Sequence, residues 1–191
     1  MKAIVAYLQE NRPELRVLYL DACEFTNEFI DSLKQSKKNI NAMAEFKEKY
    51  RRNIDVLLID DIEFLVGKEC TQEEFFNTFN TLLQSNKQIV VTLDRPPKEV
   101  KTLDDRIRSR LESGLFADIS TPDFETRVGI IRTKAEQMGI EINENLVYYI
   151  AEHIKVNTRQ LEGVVKKLQA YISIQKRIPT ISVVQGFIKD V

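Results

Sequence analysis

Four consecutive apolar residues followed at once by two carboxylates, Val56-Leu57-Leu58-Ile59-Asp60-Asp61, restrict what this chain can fold into more than any other feature. Successive side chains of a strand point to opposite faces, so a run that is apolar at every position must be covered on both sides. That is the condition of a parallel strand between helix layers. Three further short runs rich in branched residues, 17–20, 89–93 and 115–119, read as companion strands. Helical patterns separate them, over residues 2–9, 25–33 and 42–50. Thr71-Gln72-Glu73-Glu74 has the form of a capping box opening a helix with Phe75, Phe76, Phe79, Leu82 and Leu83 inward. Pro96-Pro97 breaks the chain after the third strand. The expected class is α/β, a parallel sheet sandwiched by helices.

From Thr121-Pro122 onward the strand pattern stops. Helices are expected at about 124–137, 144–153, 159–175 and 182–191, punctuated by Gly139, Asn143, Asn157 and Pro179. The organisation read from this is an α/β domain over 1–121 and a small all-α bundle over 122–191. With 43% hydrophobic and 30% charged residues the chain is globular in composition, and no apolar run approaches the ~18 residues of a membrane span. The opening residues have no signal-peptide core, so a cytoplasmic location is expected. Cys23 and Cys70 lie far apart and His153 stands alone, so the cysteines read as reduced thiols and no metal-ligand spacing is present.

Charge placement says more than the net charge of -1, which argues against coating nucleic acid through bulk positive charge. Residues 60–74 carry six acids against Lys68, whereas 95–110 carry six bases against Glu99, Asp104 and Asp105. Opposite patches on one molecule suit head-to-tail association into rings or filaments. Two solvated faces that neutralise each other within the monomer are the plainer reading.

Ligands of open parallel sheets bind at the carboxyl ends of strands, where Asp60 and Asp61 would sit. Hydrolysis of a nucleoside triphosphate needs one acid there to hold hydrated Mg²⁺ and another to orient the attacking water, so the run is a Walker B candidate; a solvated strand end with capping acids is the plainer reading. The run Ile89-Val90-Val91-Thr92-Leu93-Asp94 delivers another acid to the same edge, where Asp94 would sense the γ-phosphate or simply pair with Arg95 or Lys98. On a helix, Arg106 and Arg110 share a face while Arg108 points elsewhere and can pair with Asp104. The first two suit an arginine finger acting on a neighbour, or a surface salt-bridge cluster. Arg159 falls in the first turn of a helix capped by Asn157 or Thr158, where the helix dipole disfavours a cation. Its partner would be an anion such as phosphate, or Glu162. A phosphate-cradling G-x-x-x-x-G-K-[ST] loop is not in the sequence: the Gly67-Lys68 pair has Ile62 at the first glycine position and Glu69 at the hydroxyl position.

Taken together, residues 56–61, 62–69, 71–82, 94–99, 105–111 and 157–163 closely resemble the AAA+ ATPase module of the bacterial replication-initiator family DnaA, and the resemblance runs from Met1 to Val191. It implies an AAA+ parallel-sheet sandwich followed by a helical lid. It also implies that Asp60 and Asp61 are the Walker B pair, with Asp60 on the metal, and that Asp94 is the sensor-1 residue. Arg110 would be the arginine finger with Arg106 beside it at the subunit interface, and Arg159 the sensor-2 arginine. Ile30 and Lys68 match positions bordering single-stranded origin DNA, whereas Cys70 stands where the family often has a residue, sometimes Arg or Thr, that helps hold the strand. The expected chain is a fragment running from just after the P-loop to the end of the lid, without the duplex-reading helix-turn-helix domain. The resemblance implies ATP or ADP with Mg²⁺ as cofactors of the intact protein and little or no nucleotide on this chain by itself. It implies other copies of the chain, single-stranded DNA, and the replicative helicase or its loader as partners. A regulatory or helicase-loading AAA+ partner that reads no duplex DNA, and a nucleotide-free module capping a filament through Arg110, are the alternatives.

Overall fold

The computed structural model describes residues 1–37, 39–155 and 157–189. Its sheet consists of three parallel strands, β1 (Val17–Asp21), β2 (Val56–Asp60) and β3 (Gln88–Val91), in spatial order β1-β2-β3. The register sets Asp21 beside Asp60 and Ile59 beside Val91. As its composition requires, central β2 has all four apolar residues buried. Leu57 and Ile59 pack into a cluster with Leu20, Phe25, Ile62, Phe75 and Ile107, while strand alternation turns Val56 and Leu58 to the other face. Full burial of such a leucine stabilises by about 1.5–3 kcal/mol.

The expected fourth strand over 115–119 does not form. Leu115 is 100% exposed and Ile119 89%, and the segment pairs with no strand among the described residues. Branched residues favour extended backbone, but a strand is stabilised only by an edge to pair with and a face to bury.

Helices α1 (Lys2–Asn11), α2 (Ala22–Ser36), α3 (Ala42–Lys47), α4 (Glu69–Gln84) and α5 (Asp105–Glu112) surround the sheet in sequence order. Asp21 ends β1 and caps α2, its carboxylate accepting from the Glu24 amide at 2.7 Å. The pattern over 42–50 divides: α3 passes into a π-helical turn, Glu48–Arg52, that buries Tyr50 and sends Arg51 to Glu74 and Thr78 of α4. The expected capping box is also corrected. A 3₁₀ turn, Ile62–Leu65, and Gly67 at φ +75° bring Lys68 to the N-cap, so α4 starts at Glu69 and Thr71 and Gln72 lie buried inside it. Gln72 instead accepts a hydrogen bond from the Asp104 amide at 2.6 Å.

The chain divides into two compact units, Met1–Phe116 and Ala117–Val191. The second holds α6 (Phe124–Gln137), α7 (Glu144–His153), α8 (Thr158–Gln175) and α9 (Ile181–Lys189). Asp123, Asn143 and Asn157 cap the first three, and Val128, Ile131, Ile150, Val165, Leu168 and Val184 are among its buried side chains. Buried Arg127 donates to the carbonyls of Ala151 and Pro122, both at 2.8 Å, tying α6 to the end of α7. Residues 190 and 191 of the expected last helix lie outside the described residues.

Candidate functional site

The site grows from the end of β2. Asp60 closes the strand half-buried, and Asp61 then adopts a left-handed conformation, φ 56° and ψ 54°, that swings the chain into the 3₁₀ turn. A short polar side chain tolerates that conformation better than the branched residues before it. Thr92, just past β3, grips the corner. Its hydroxyl accepts from the Asp61 amide at 2.9 Å and donates to Asp60 Oδ1, and its carbonyl accepts from the Ile62 amide at 3.1 Å. From the other neighbouring strand, the Tyr19 hydroxyl donates to Asp60 Oδ2 at 3.1 Å. The parallel register puts Tyr19, Asp60 and Thr92 on one face, because Tyr19 pairs with Leu58 and Ile59 with Val91.

Negative charge concentrates here. Burial pushes the Glu63 carboxyl up, with the charges of Asp94 and Asp61 adding to it and Arg95 opposing, and Glu63 Oε2 is buried without a hydrogen-bond partner. Asp94 is exposed and paired with Arg95 through two hydrogen bonds of 3.1 and 3.0 Å, which hold its carboxyl below the usual range. Burial and the hydrogen bond to Asp60 push the Tyr19 phenol up.

The candidate arginines differ in how firmly they are held. Arg106 pairs with Asp104 at 2.9 Å and lies over the Phe76 ring of α4 at 4.7 Å. Arg108 pairs with Asp105, not Asp104 as expected, because Asp104 caps α5 and its carboxylate is taken by Arg106. Arg110, in the last turn of α5, is exposed, and its guanidinium has no hydrogen bond or ion pair among the described residues. In the second unit Arg159 opens α8, its amide donating to Asn157 Oδ1 at 3.0 Å. Glu162 pairs with Lys134 at 3.1 Å rather than with Arg159, whose guanidinium has no partner among the described residues. Ile30 is 37% exposed on α2, and Lys68 is exposed at the start of α4.

The family model of the bacterial DnaA ATPase domain matches residues 1–118. The chain belongs to that DnaA family. Domain III of the Thermotoga maritima replication initiation protein DnaA is 39% identical and superposes with a TM-score of 0.91 over 99% of this chain and 77% of its own. AMPPCP-bound DnaA from Aquifex aeolicus is 35% identical, with a TM-score of 0.72 over 87% of this chain and 49% of its own. A replication initiator DnaA bound to AMPPCP and single-stranded DNA is 33% identical, with a TM-score of 0.72 over 89% of this chain and 51% of its own. The chain spans about half the length of the last two. Its three-stranded parallel sheet with flanking helices is the α/β fold of the DnaA AAA+ domain.

In this DnaA-family domain, Asp60 fits a hydrated magnesium ion. A carboxylate offers about four lone-pair sites, and two hydroxyls occupy only part of them. No three His, Cys, Asp or Glu side chains gather into a metal-holding group among the described residues. Gly67-Lys68 forms no phosphate cradle; the Lys68 amide is spent on the Leu65 carbonyl at 3.1 Å. Tyr19, Thr92 and Glu63 were not singled out from the sequence. A hydroxyl at the end of a strand flanking the two acids was the available signal, but only the strand register says which residues flank them.

Proposed function

We propose that this chain is the ATPase core and lid of a replication initiator that, with ATP, assembles on chromosomal origin DNA and opens it. The α/β core would span 1–121 and the lid 122–191. The observation that supports this best is the common strand end of β2 and β3, where Asp60 and Asp61 stand with Asp94 just beyond β3. In this reading Asp60 holds the hydrated Mg²⁺ of bound ATP, Asp61 orients the attacking water and Asp94 senses the γ-phosphate. Arg159 would be a nucleotide-binding residue. Arg110, with Arg106 beside it, would act on the nucleotide of the next copy in a head-to-tail filament, and its unpartnered guanidinium is in keeping with that. Ile30 and Lys68 would border single-stranded DNA, with the replicative helicase or its loader as a further partner in the cytoplasm. The chain by itself would bind ATP or ADP weakly, since no backbone cradle for the β- and γ-phosphates is in its sequence.

Nucleotide binding, turnover and sedimentation of the full gene product test the reading. Asp61→Asn is expected to abolish hydrolysis and leave ATP affinity nearly intact, and Arg110→Ala to spare monomer binding but block ATP-driven assembly. An Asp61→Asn protein that still turns over ATP, or an Arg110→Ala monomer that loses nucleotide affinity, overturns the corresponding assignment.

A further inference from the structure

The two acids at the end of β2 are held very differently. Asp60 has a hydroxyl on each carboxylate oxygen, Tyr19 from β1 on Oδ2 and Thr92 from β3 on Oδ1. The Asp61 carboxylate makes no hydrogen bond or ion pair among the described residues, although its amide is fixed by Thr92. The terminal torsion of an aspartate is broad and roughly two-fold, so an unheld carboxylate samples many orientations. Donors on both oxygens, anchored in separate strands, remove that freedom. Tyr19 is well suited to the task, being rigid, half-buried and on the same face of the sheet as its acceptor.

We propose that Tyr19 and Thr92 are positioning residues for Asp60: together they fix the plane of its carboxylate and so choose which lone pairs remain for a hydrated ion. The inference rests on the reading of Asp60 as the acid that holds nucleotide-bound Mg²⁺. It explains why one acid of the pair is clamped while its neighbour is left to move. A group that holds an ion benefits from a fixed orientation, as outer-shell partners provide at metal sites generally. A group that orients a water must follow it. Thr92 has a second task, since its one hydroxyl also holds the amide at the left-handed corner.

The experiment is binding of a fluorescent ATP analogue to the full gene product, titrated with Mg²⁺ and compared with EDTA, alongside ATP turnover. Tyr19→Phe deletes one hydroxyl and keeps the ring. It is expected to leave affinity in EDTA and the melting temperature unchanged. The Mg²⁺ concentration giving half of the metal-dependent gain should rise about tenfold, with turnover recovering at high Mg²⁺. Thr92→Ser, which keeps the hydroxyl, should behave as the parent, whereas Thr92→Val should copy Tyr19→Phe and also melt lower. Asp60→Asn should remove the metal-dependent gain altogether. If Asp60→Asn has no such effect, the assignment of Asp60 fails and the inference with it. If Asp60→Asn has the effect but Tyr19→Phe and Thr92→Val titrate as the parent, the positioning role alone is overturned.

Discussion

Glu63 lies two residues beyond Asp61, its Oε2 buried and unpartnered beside the charges of Asp61 and Asp94. Its carboxyl is raised above the ordinary value by burial first, so the folded chain holds that proton more firmly than the unfolded chain does. Stability from this group is fully present below the ordinary carboxyl range and is lost as pH rises through the folded value. Glu63→Gln is therefore expected to stabilise the α/β unit at pH 7, by about 2 °C in Tm, and to give no gain near pH 4. A melting series over that range checks it. Asp55 works in the other direction. It accepts from the Arg16 side chain at 2.9 and 3.1 Å and also pairs with Lys87, and these hydrogen bonds hold its carboxyl far below the usual range. That contribution is present above the ordinary carboxyl value and is lost as pH falls through the folded one. Asp55→Asn should melt lower than the parent at neutral pH, with the gap closing in acid.

Among elements, the contrast between β2 and the segment over 115–119 separates propensity from burial. Both are rich in branched or large apolar residues, yet Leu57 is fully buried and Leu115 fully exposed. Removing a buried leucine side chain loses its transfer free energy and leaves a cavity, so Leu57→Ala should cost about 2–5 kcal/mol. Leu115→Ala removes nothing packed, and its effect should stay within about 0.5 kcal/mol. Urea unfolding followed by the far-ultraviolet signal measures both. A large loss for Leu115→Ala would show that 115–119 is paired in the protein in solution.

For the molecule as a whole, the exposed residues between α5 and the start of the second unit mark where the backbone is least protected. Residues 112–121 are all exposed, and each unit has its own buried cluster. Brief chymotrypsin digestion should cut first after Leu115 or Phe116 and yield two resistant fragments, read by mass spectrometry. Early cuts within α4 or α8 would contradict that ordering. The net charge of -1 bears on the proposed DNA contact. One lysine per copy contributes a salt slope of only about 0.7 on single strands, so the isolated chain should bind an oligonucleotide weakly and with a shallow salt dependence. Appreciable binding should need copies aligned along the strand, a multivalent gain that Lys68→Ala reduces. Fluorescence anisotropy at two salt concentrations checks this, and tight binding by the monomer would refute it.

Local and periodic features of the fold were legible in the sequence. The apolar run of β2 required cover on both faces, and the helices over 124–137 and 144–153 follow the spacing of their apolar residues and, for the second, the punctuation at Asn143. Each of these depends on neighbours a few positions away. Asp60, Asp61 and Asp94 could be named for the same reason, as acids at or just beyond strand ends. The strand-like run over 115–119 misled because composition states a preference for extended backbone and says nothing of whether an edge is there to receive it. The start of α4 misled because the conformation at Gly67, not the Thr71 side chain, determined where the helix could begin. Only the tertiary structure decided that Tyr19, Asp60 and Thr92 meet, residues 41 and 32 positions apart in the two pairs. A parallel register is set by the packing of whole strands and their crossover helices, and a shift of one residue between β1 and β2 would turn Tyr19 to the opposite face and take the donor away from Asp60 Oδ2.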